Sequence, residues 1–376
     1  MTATSAYLNK VNFEEYDTGG YKMYRIPGIV VTRRGTVLAH YEARMGTGDW
    51  TKQDVIMRRS TDNGETWSER IMLVEGIAKE TFHNASMIAA KKSDTVYLFW
   101  FRNYANGYMT RSEDDGLTWS EPVEITSVFE KFRSEYDWNV IANGTGHAIE
   151  LRSGRLVIPV WLSNGGEVHR PSVLSSIYSN DGGTTWERGS IIWDKDGWVS
   201  PSESTAVELA DGSVMMNFRH ESDTRSRGVA ISPDGGVTWG EPIHATDLPD
   251  PICEGSILRI AFSETRGFSG ILFSNCAFDG EGDIEWRTFS DGTRFKWGNQ
   301  SRRNLTIRLS LDEGKTWNYS SLLELEAGYS DLAISNDGQT IFCLYERDWM
   351  ERQCAFTKHM TIARFNLAWV TDGEMK

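Results

Sequence analysis

Cysteine is scarce in this chain, with 4 in 376 residues. Cys253, Cys276, Cys343 and Cys354 have neither metal-ligand spacing nor the density of a disulfide scaffold, so they read as reduced core residues. No apolar run approaches the roughly 18 residues of a membrane-spanning helix. The opening stretch, Met1 to Lys10, lacks the apolar centre of a secretory leader, which leaves either an intracellular chain or a trimmed secreted one. Positive charge is short as well: 39 Lys and Arg against 53 Asp and Glu give a formal net charge of −14. That argues against nucleic acid as a partner and makes any cluster of arginines conspicuous.

What the chain has in excess is tryptophan, 15 residues, and one repeated phrase. Ser-x-Asp-x-Gly-x-Thr-Trp runs from Ser60 to Trp67, Ser112 to Trp119, Ser179 to Trp186, Ser232 to Trp239 and Ser310 to Trp317. A period of this size holds a small antiparallel sheet. Each copy follows a short strand; its Asp bonds nearby backbone N–H groups, and its Gly permits positive φ. The Trp is expected to pack between neighbouring sheets. The phrase therefore reads as architecture rather than as a binding site repeated five times.

Alternation and turn punctuation give six strand pairs. They are Tyr24–Val31 with Thr36–Arg44, Asn84–Ala90 with Thr95–Arg102, and His147–Leu151 with Arg155–Leu162. Ser204–Leu209 with Ser213–His220, Gly255–Phe262 with Gly270–Ala277, and Tyr329–Ser335 with Gln339–Arg347 follow. A third strand follows each pair and ends in the phrase in the first five units. The sixth has a third strand, His359–Phe365, and no phrase, so its fourth strand is expected from the N-terminus, around Tyr7–Phe13. The count predicts an all-β, six-bladed β-propeller of four-stranded antiparallel blades, one domain over residues 1–376.

This topology sorts residues by face. The repeated phrases occupy turns between third and fourth strands. The opposite face collects Arg25, Arg44, Asp49, His147, Glu203, Arg219, Arg302, Tyr329 and Glu346, at strand ends that converge on the central channel. A single arginine there would be an ordinary solvated strand end. Three from different blades are not explained that way.

These residues resemble the sialidase (neuraminidase) family, with its Asp-boxes and its Tyr-Arg-Ile-Pro motif, here Tyr24 to Pro27. Further matches cover almost the whole chain: Arg58-Arg-Ser60, Glu203-Ser-Thr before Asn217-Phe-Arg219, Arg302-Arg-Asn-Leu305, and Ala327 to Leu332 followed by Leu344-Tyr-Glu346. Asp-boxes alone also occur in other propellers; the motifs together, in family order, are highly specific. The resemblance implies that Arg25, Arg219 and Arg302 bind a substrate carboxylate, with Arg303 a rival for the third place. A planar guanidinium makes bidentate, charge-assisted bonds to a carboxylate and keeps its proton.

It further implies Tyr329 as nucleophile and Glu203 as its base. The anomeric carbon of a sialic acid bears a carboxylate, so an anionic nucleophile would be repelled where a neutral phenol is not. Asp49, on the glycine-containing loop Met45 to Trp50, is the implied acid/base; such an acid needs its pKa raised toward the working pH, which partial burial on ligand binding would favour. Asp54 is its rival. Arg44 is expected to contact substrate or position Asp49, and Glu346 to pair with Arg25. His147 reads as a structural histidine at the channel mouth, Trp50 is not singled out among so many tryptophans, and Glu254 has no assigned role.

The implied activity is retaining exo-α-sialidase action on terminal sialic acids of glycans, glycoproteins or glycolipids, without metal or organic cofactor. A glycosidase for a related 2-keto acid sugar such as Kdn or Kdo, a sialic acid transferase, and a non-catalytic propeller binding acidic glycans stay open.

Overall fold

The computed structural model describes residues 5–374, apart from 78–79, 166–168, 196, 265, 279–284, 289–293, 298–301 and 350–356. Its sheets are antiparallel apart from one two-residue parallel pairing, and two of them hold four strands in chain order. Blade 1 is Met23–Val31, Val37–Arg44, Gln53–Ser60 and Ile71–Val74. Blade 2 is Phe82–Ala89, Val96–Arg102, Asn106–Ser112 and Val123–Glu124; blade 4 is Ser204–Glu208, Val214–Phe218, Ser226–Ser232 and Ile243–Pro249. The two helices among the described residues are single turns, Thr126–Glu130 and Leu367–Val370, and no helix is long and apolar enough to cross a membrane.

Three places differ from the expected strands. In blade 3 the inner strand is split. Val140–Asn143 and Ile149–Glu150 both pair with Leu156–Ser163, while Gly146–His147 leaves to pair in parallel with the inner strand of blade 2. Glycine permits the excursion: a Cβ on Gly144 would sit 1.9 Å from the Ser204 carbonyl oxygen, and Gly146 has φ +77°. Secondly, Tyr319–Ile334 is one continuous 16-residue strand. Its first half is the fourth strand of blade 5, against Arg303–Ser310, and its second half the first strand of blade 6, against Ile341–Trp349. Thirdly, blade 5 carries an extra hairpin, Glu285–Thr288 with Arg294–Trp297.

The N-terminus supplies the missing strand. Leu8–Glu15 pairs with Thr357–Phe365, from Leu8 opposite Phe365 to Glu15 opposite His359. The apolar clusters lie between consecutive blades, and one of them joins the last blade to the first through Tyr24 and Ile29 against Phe342 and Ile362. The core is thus a cycle of inter-blade contacts rather than a central one. Among the described residues the four-stranded units are consistent with the six blades expected from the strand pairs.

Each Asp-box is a closed hydrogen-bonded turn. In the second copy, Ser112 Oγ donates to Asp114 Oδ1 and accepts from the Gly116 N–H, both at 2.8 Å. Asp114 also accepts from the Thr118 N–H at 2.8 Å and its hydroxyl at 2.6 Å. These donors pull the Asp114 carboxyl down to about 2. The box glycines have positive φ and face the preceding blade: a Cβ on Gly116 would meet Leu38 at 3.2 Å, and one on Gly183 would meet Met109 at 3.0 Å. The box tryptophans reach backwards in the same way, with Trp186 5.5 Å from Phe99 and Trp239 Nε1 bonded to Ser176 Oγ. Three of the four cysteines, Cys253, Cys276 and Cys343, are buried and free; Cys354 lies outside the described residues.

Ser112→Ala leaves the buried Gly116 N–H without its acceptor. We expect a loss of about 1–2 kcal/mol in urea unfolding, with function at low temperature intact.

Candidate active site

The blade topology brings the start of each first strand and the end of each second strand to one mouth of the ring. Arg25 opens this site from blade 1. The ladder shifts register between Arg25 and Gly28, and Ile26 sits at φ +56°. A β-branched residue there costs about 1–3 kcal/mol unless its surroundings fix it. Glu346, fully buried, does so. Its Oε1 accepts from Arg25 Nε at 3.0 Å and the Ile26 N–H at 3.1 Å; its Oε2 accepts from Arg25 Nη2 and the Tyr329 N–H. One carboxylate therefore sets both a guanidinium fork and the backbone of the tyrosine, as expected of its pairing with Arg25.

Tyr329 occupies a second register shift, between Ala327 and Ser330. Its hydroxyl donates to Glu203 Oε1 at 2.7 Å and accepts from Arg219 Nη1 at 2.7 Å. Arg219 Nη1 also stands 2.8 Å from Glu203 Oε2. The ring lies among three guanidinium groups, with the carbons of Arg302, Arg25 and Arg219 at 4.7, 4.8 and 6.0 Å from its centroid. Burial pushes the phenol above its ordinary pKa; Arg219, Arg302 and Arg25 oppose that, and Glu203 adds to it.

Arg302 donates from Nη2 to the Ile252 carbonyl at 3.2 Å, and its buried Nε and Nη1 have no partner among the described residues. Those donors are available to an anion. Arg303, the rival, lies over Phe278 and Trp349 instead and does not line the cavity.

Asp49 and Arg44 stand on the other side. Arg44, almost fully buried, donates to Glu42 Oε2 at 2.8 and 2.6 Å and from Nη1 to Asp49 Oδ1 at 2.8 Å. The Asp49 side chain is 49 % exposed. What burial it has raises its pKa, but Arg44 and Arg25 outweigh that and hold the carboxyl well below the carboxylate range. Arg44, which pairs with the group directly, supplies the larger of these two pulls. Asp54 is placed elsewhere: it is buried and accepts from Tyr21 Oη and the Gly76 N–H, each at 2.6 Å. His147 is buried in the channel with Nδ1 2.7 Å from Asp331 Oδ1, and it is not part of the cavity wall.

The cavity between these groups measures about 190 Å³. Sequence reasoning missed part of its wall: Tyr104, Trp161 and His169 form an aromatic side, with Tyr104 and His169 centroids 4.4 Å apart. Trp50, 37 % exposed, packs on both at 4.7 and 5.4 Å. It also missed Glu42, which fixes Arg44, and Ile252, whose carbonyl meets both Arg219 and Arg302. Tyr104 and His169 lie in loops after second strands, so the rule that placed the arginines covers them; their residue types gave no further reason to choose them. No cluster of His, Cys, Asp and Glu among the described residues is arranged to hold a metal ion.

Glu346→Ala would leave the Arg25 charge and two backbone N–H groups unpaired in a buried place. A loss of about 3–5 kcal/mol is expected by urea unfolding, with Glu346→Gln recovering part of it.

A sialidase of Micromonospora viridifaciens is 30 % identical over 93 % of this chain and 52 % of its own length. One of Bacteroides fragilis is 28 % identical over 86 % and 60 %. The chain thus spans little more than half the length of these two relatives. Among solved structures, a Hadza microbial sialidase superposes with a TM-score of 0.77 at 24 % identity, covering 96 % of this chain and 69 % of that one. Residues 35–342 match the family model described as BNR repeat-like domain, and the chain belongs to that family.

Proposed function

We propose that the chain is a retaining exo-α-sialidase that releases terminal α-linked sialic acids from glycoconjugates. The observation that carries this reading is the Tyr329–Glu203 hydrogen bond of 2.7 Å inside a group of three arginines. A binding module for acidic glycans has use for the arginines but none for a buried phenol paired with a carboxylate. The names of the relatives support the same reading.

In the proposed reaction Arg25, Arg219 and Arg302 bind the substrate carboxylate and seat the anomeric carbon beside Tyr329. The phenol oxygen attacks that carbon as Glu203 takes its proton, and the glycosidic oxygen leaves with a proton from Asp49. The aryl-linked intermediate is then hydrolysed: Asp49 takes a proton from water, water oxygen bonds to the anomeric carbon, and the phenol regains its proton from Glu203. Two displacements retain configuration. A phenol kept neutral by burial avoids repulsion with the bound carboxylate until Glu203 removes the proton.

Hydrolysis of a fluorogenic α-sialoside beside the matching Kdn glycoside tests the substrate class. Release from the sialoside is expected; release from the Kdn glycoside alone moves the assignment to the related sugar, and release from neither overturns the enzymatic reading. Tyr329→Phe is expected to lower kcat on the order of 10³-fold while still binding an unsaturated sialic acid analogue, and near-normal turnover would remove Tyr329 as nucleophile. Arg25→Ala should instead weaken analogue binding about 10- to 100-fold.

The acid role has its own signature. Asp49→Ala should slow release of a sugar alcohol by about 10²-fold or more, and release of an acidic phenol far less. Equal losses on both would show that Asp49 acts otherwise.

A further inference from the structure

The proposed chemistry leaves Glu254 without a task. This side chain is 1 % exposed and lies just before the first strand of blade 5, Ser256–Ser263. Its Oε2 accepts from the Ser330 N–H at 3.0 Å, and its buried Oε1 has no partner among the described residues.

The bond falls at a telling place. The blade 6 ladder passes from Ala327 opposite Arg347 directly to Ser330 opposite Tyr345. The N–H of Tyr329 goes to Glu346 and that of Ser330 to Glu254, so two carboxyl groups flank the Cα of Tyr329. A side chain from blade 5 thereby fixes where the phenol of blade 6 stands relative to Glu203 of blade 4.

The groups that bear on Glu254 are acids: Asp331 and Cys343 from blade 6, Glu203 from blade 4, and Cys253 beside it. Asp331 is itself satisfied by His147 Nδ1 and Ser256 Oγ, each at 2.7 Å, and by the Ile29 N–H at 2.8 Å. Burial, then the charges of Asp331 and Glu203, hold the Glu254 carboxyl well above its ordinary range. An amide N–H needs only an acceptor, which the carbonyl of a neutral carboxylic acid supplies.

Resting on the sialidase reading, we propose that Glu254 is a positioning residue whose carboxyl holds the Tyr329–Ser330 backbone so that the phenol meets Glu203, and that its ionisation as pH rises disables the site. Ionisation would place an uncompensated anion beside Glu203 in a buried setting. The sign follows: the folded state holds this proton more tightly than the unfolded chain does. Its contribution to stability is therefore complete below the ordinary glutamate range and is lost as pH rises through the folded pKa.

The test compares the full-length wild type with Glu254→Gln and Glu254→Ala, reading kcat, KM and Tm against pH, with the fluorogenic α-sialoside as probe. Glu254→Gln, the isostere of the neutral acid, should keep kcat within about threefold at the optimum and move the alkaline limb up by about one pH unit or more. Glu254→Ala should lower kcat about tenfold with KM little changed. Glu254→Gln as impaired as Glu254→Ala, or with the wild-type alkaline limb, overturns the proposal. A wild type inactive on the sialoside refutes the sialidase reading instead. The Tm comparison still judges Glu254: Tm falling faster toward alkaline pH in wild type than in Glu254→Gln is expected, and parallel curves overturn it.

Discussion

Several guanidinium groups can share a buried cavity only if carboxylates face them, and this constraint organises the mouth of the ring. Arg25, Arg44, Arg219 and Arg302 are all buried or nearly so around one small space. Arg25 is neutralised by Glu346, Arg219 by Glu203, and Arg44 by both Glu42 and Asp49. Arg302 has only a carbonyl, that of Ile252, with two donors unused among the described residues. The distribution is therefore lopsided: acidic surplus at Arg44 and cationic surplus at Arg302. On the proposed mechanism, a substrate with one carboxylate and a sugar body would place its anion toward Arg302 and its leaving side toward Asp49. The same geometry keeps each free donor pre-oriented, since buried ion pairs hold their partners in place more than they stabilise the fold.

The carboxylates also hold backbone that the ladders give up. Both shifted segments, Arg25 to Gly28 and Ala327 to Ser330, lie at inner strand ends on the cavity side. A regular ladder would turn alternate side chains away from the channel. The shift re-aims Arg25 and Tyr329 into it, leaving N–H groups that only side chains can satisfy, and Glu346 satisfies one from each segment. Ile252, another β-branched residue at positive φ, is part of the same design: its turn aims one carbonyl at Arg219 and Arg302. Strain at the mouth is balanced by the regular four-stranded blades behind it.

How much of this was legible in the sequence follows from what each signal encodes. The Asp-box states its own hydrogen bonds, since Ser, Asp, Gly and Thr at fixed offsets close a turn, and five copies mark the blades. The N-terminal strand was legible because one blade lacked a partner. The split inner strand of blade 3 was not, because Val140–Asn143 lies before a Gly-rich excursion that reads as a loop. Nor was the fusion of blades 5 and 6, since Gly328 within Tyr319–Ile334 reads as a break between two strands rather than as the point where one strand changes sheets. In the site, Arg25, Glu203, Arg219, Arg302 and Tyr329 were identifiable by motif and do converge. Glu42, Tyr104, His169 and Ile252 were not, because their roles depend on which side of a loop faces the cavity, and that is set by packing against neighbouring blades.

At Asp49 the proposed acid role and the charge of the neighbouring arginines pull in opposite directions. Its carboxyl is held low by Arg44 and Arg25, which suits a base and not an acid. On the proposed mechanism, a substrate carboxylate on Arg25 cancels part of that pull, because the same guanidinium now answers to a second anion. The sugar covering the exposed loop removes water from Asp49, and desolvation favours the protonated form. Glu42 works in the same direction: by holding two nitrogens of Arg44 it divides that cation between two carboxylates and weakens its hold on Asp49. On that mechanism, proton affinity at Asp49 rises as substrate is seated, and the carboxylates beside Arg44 disfavour a substrate whose own carboxylate points toward Asp49.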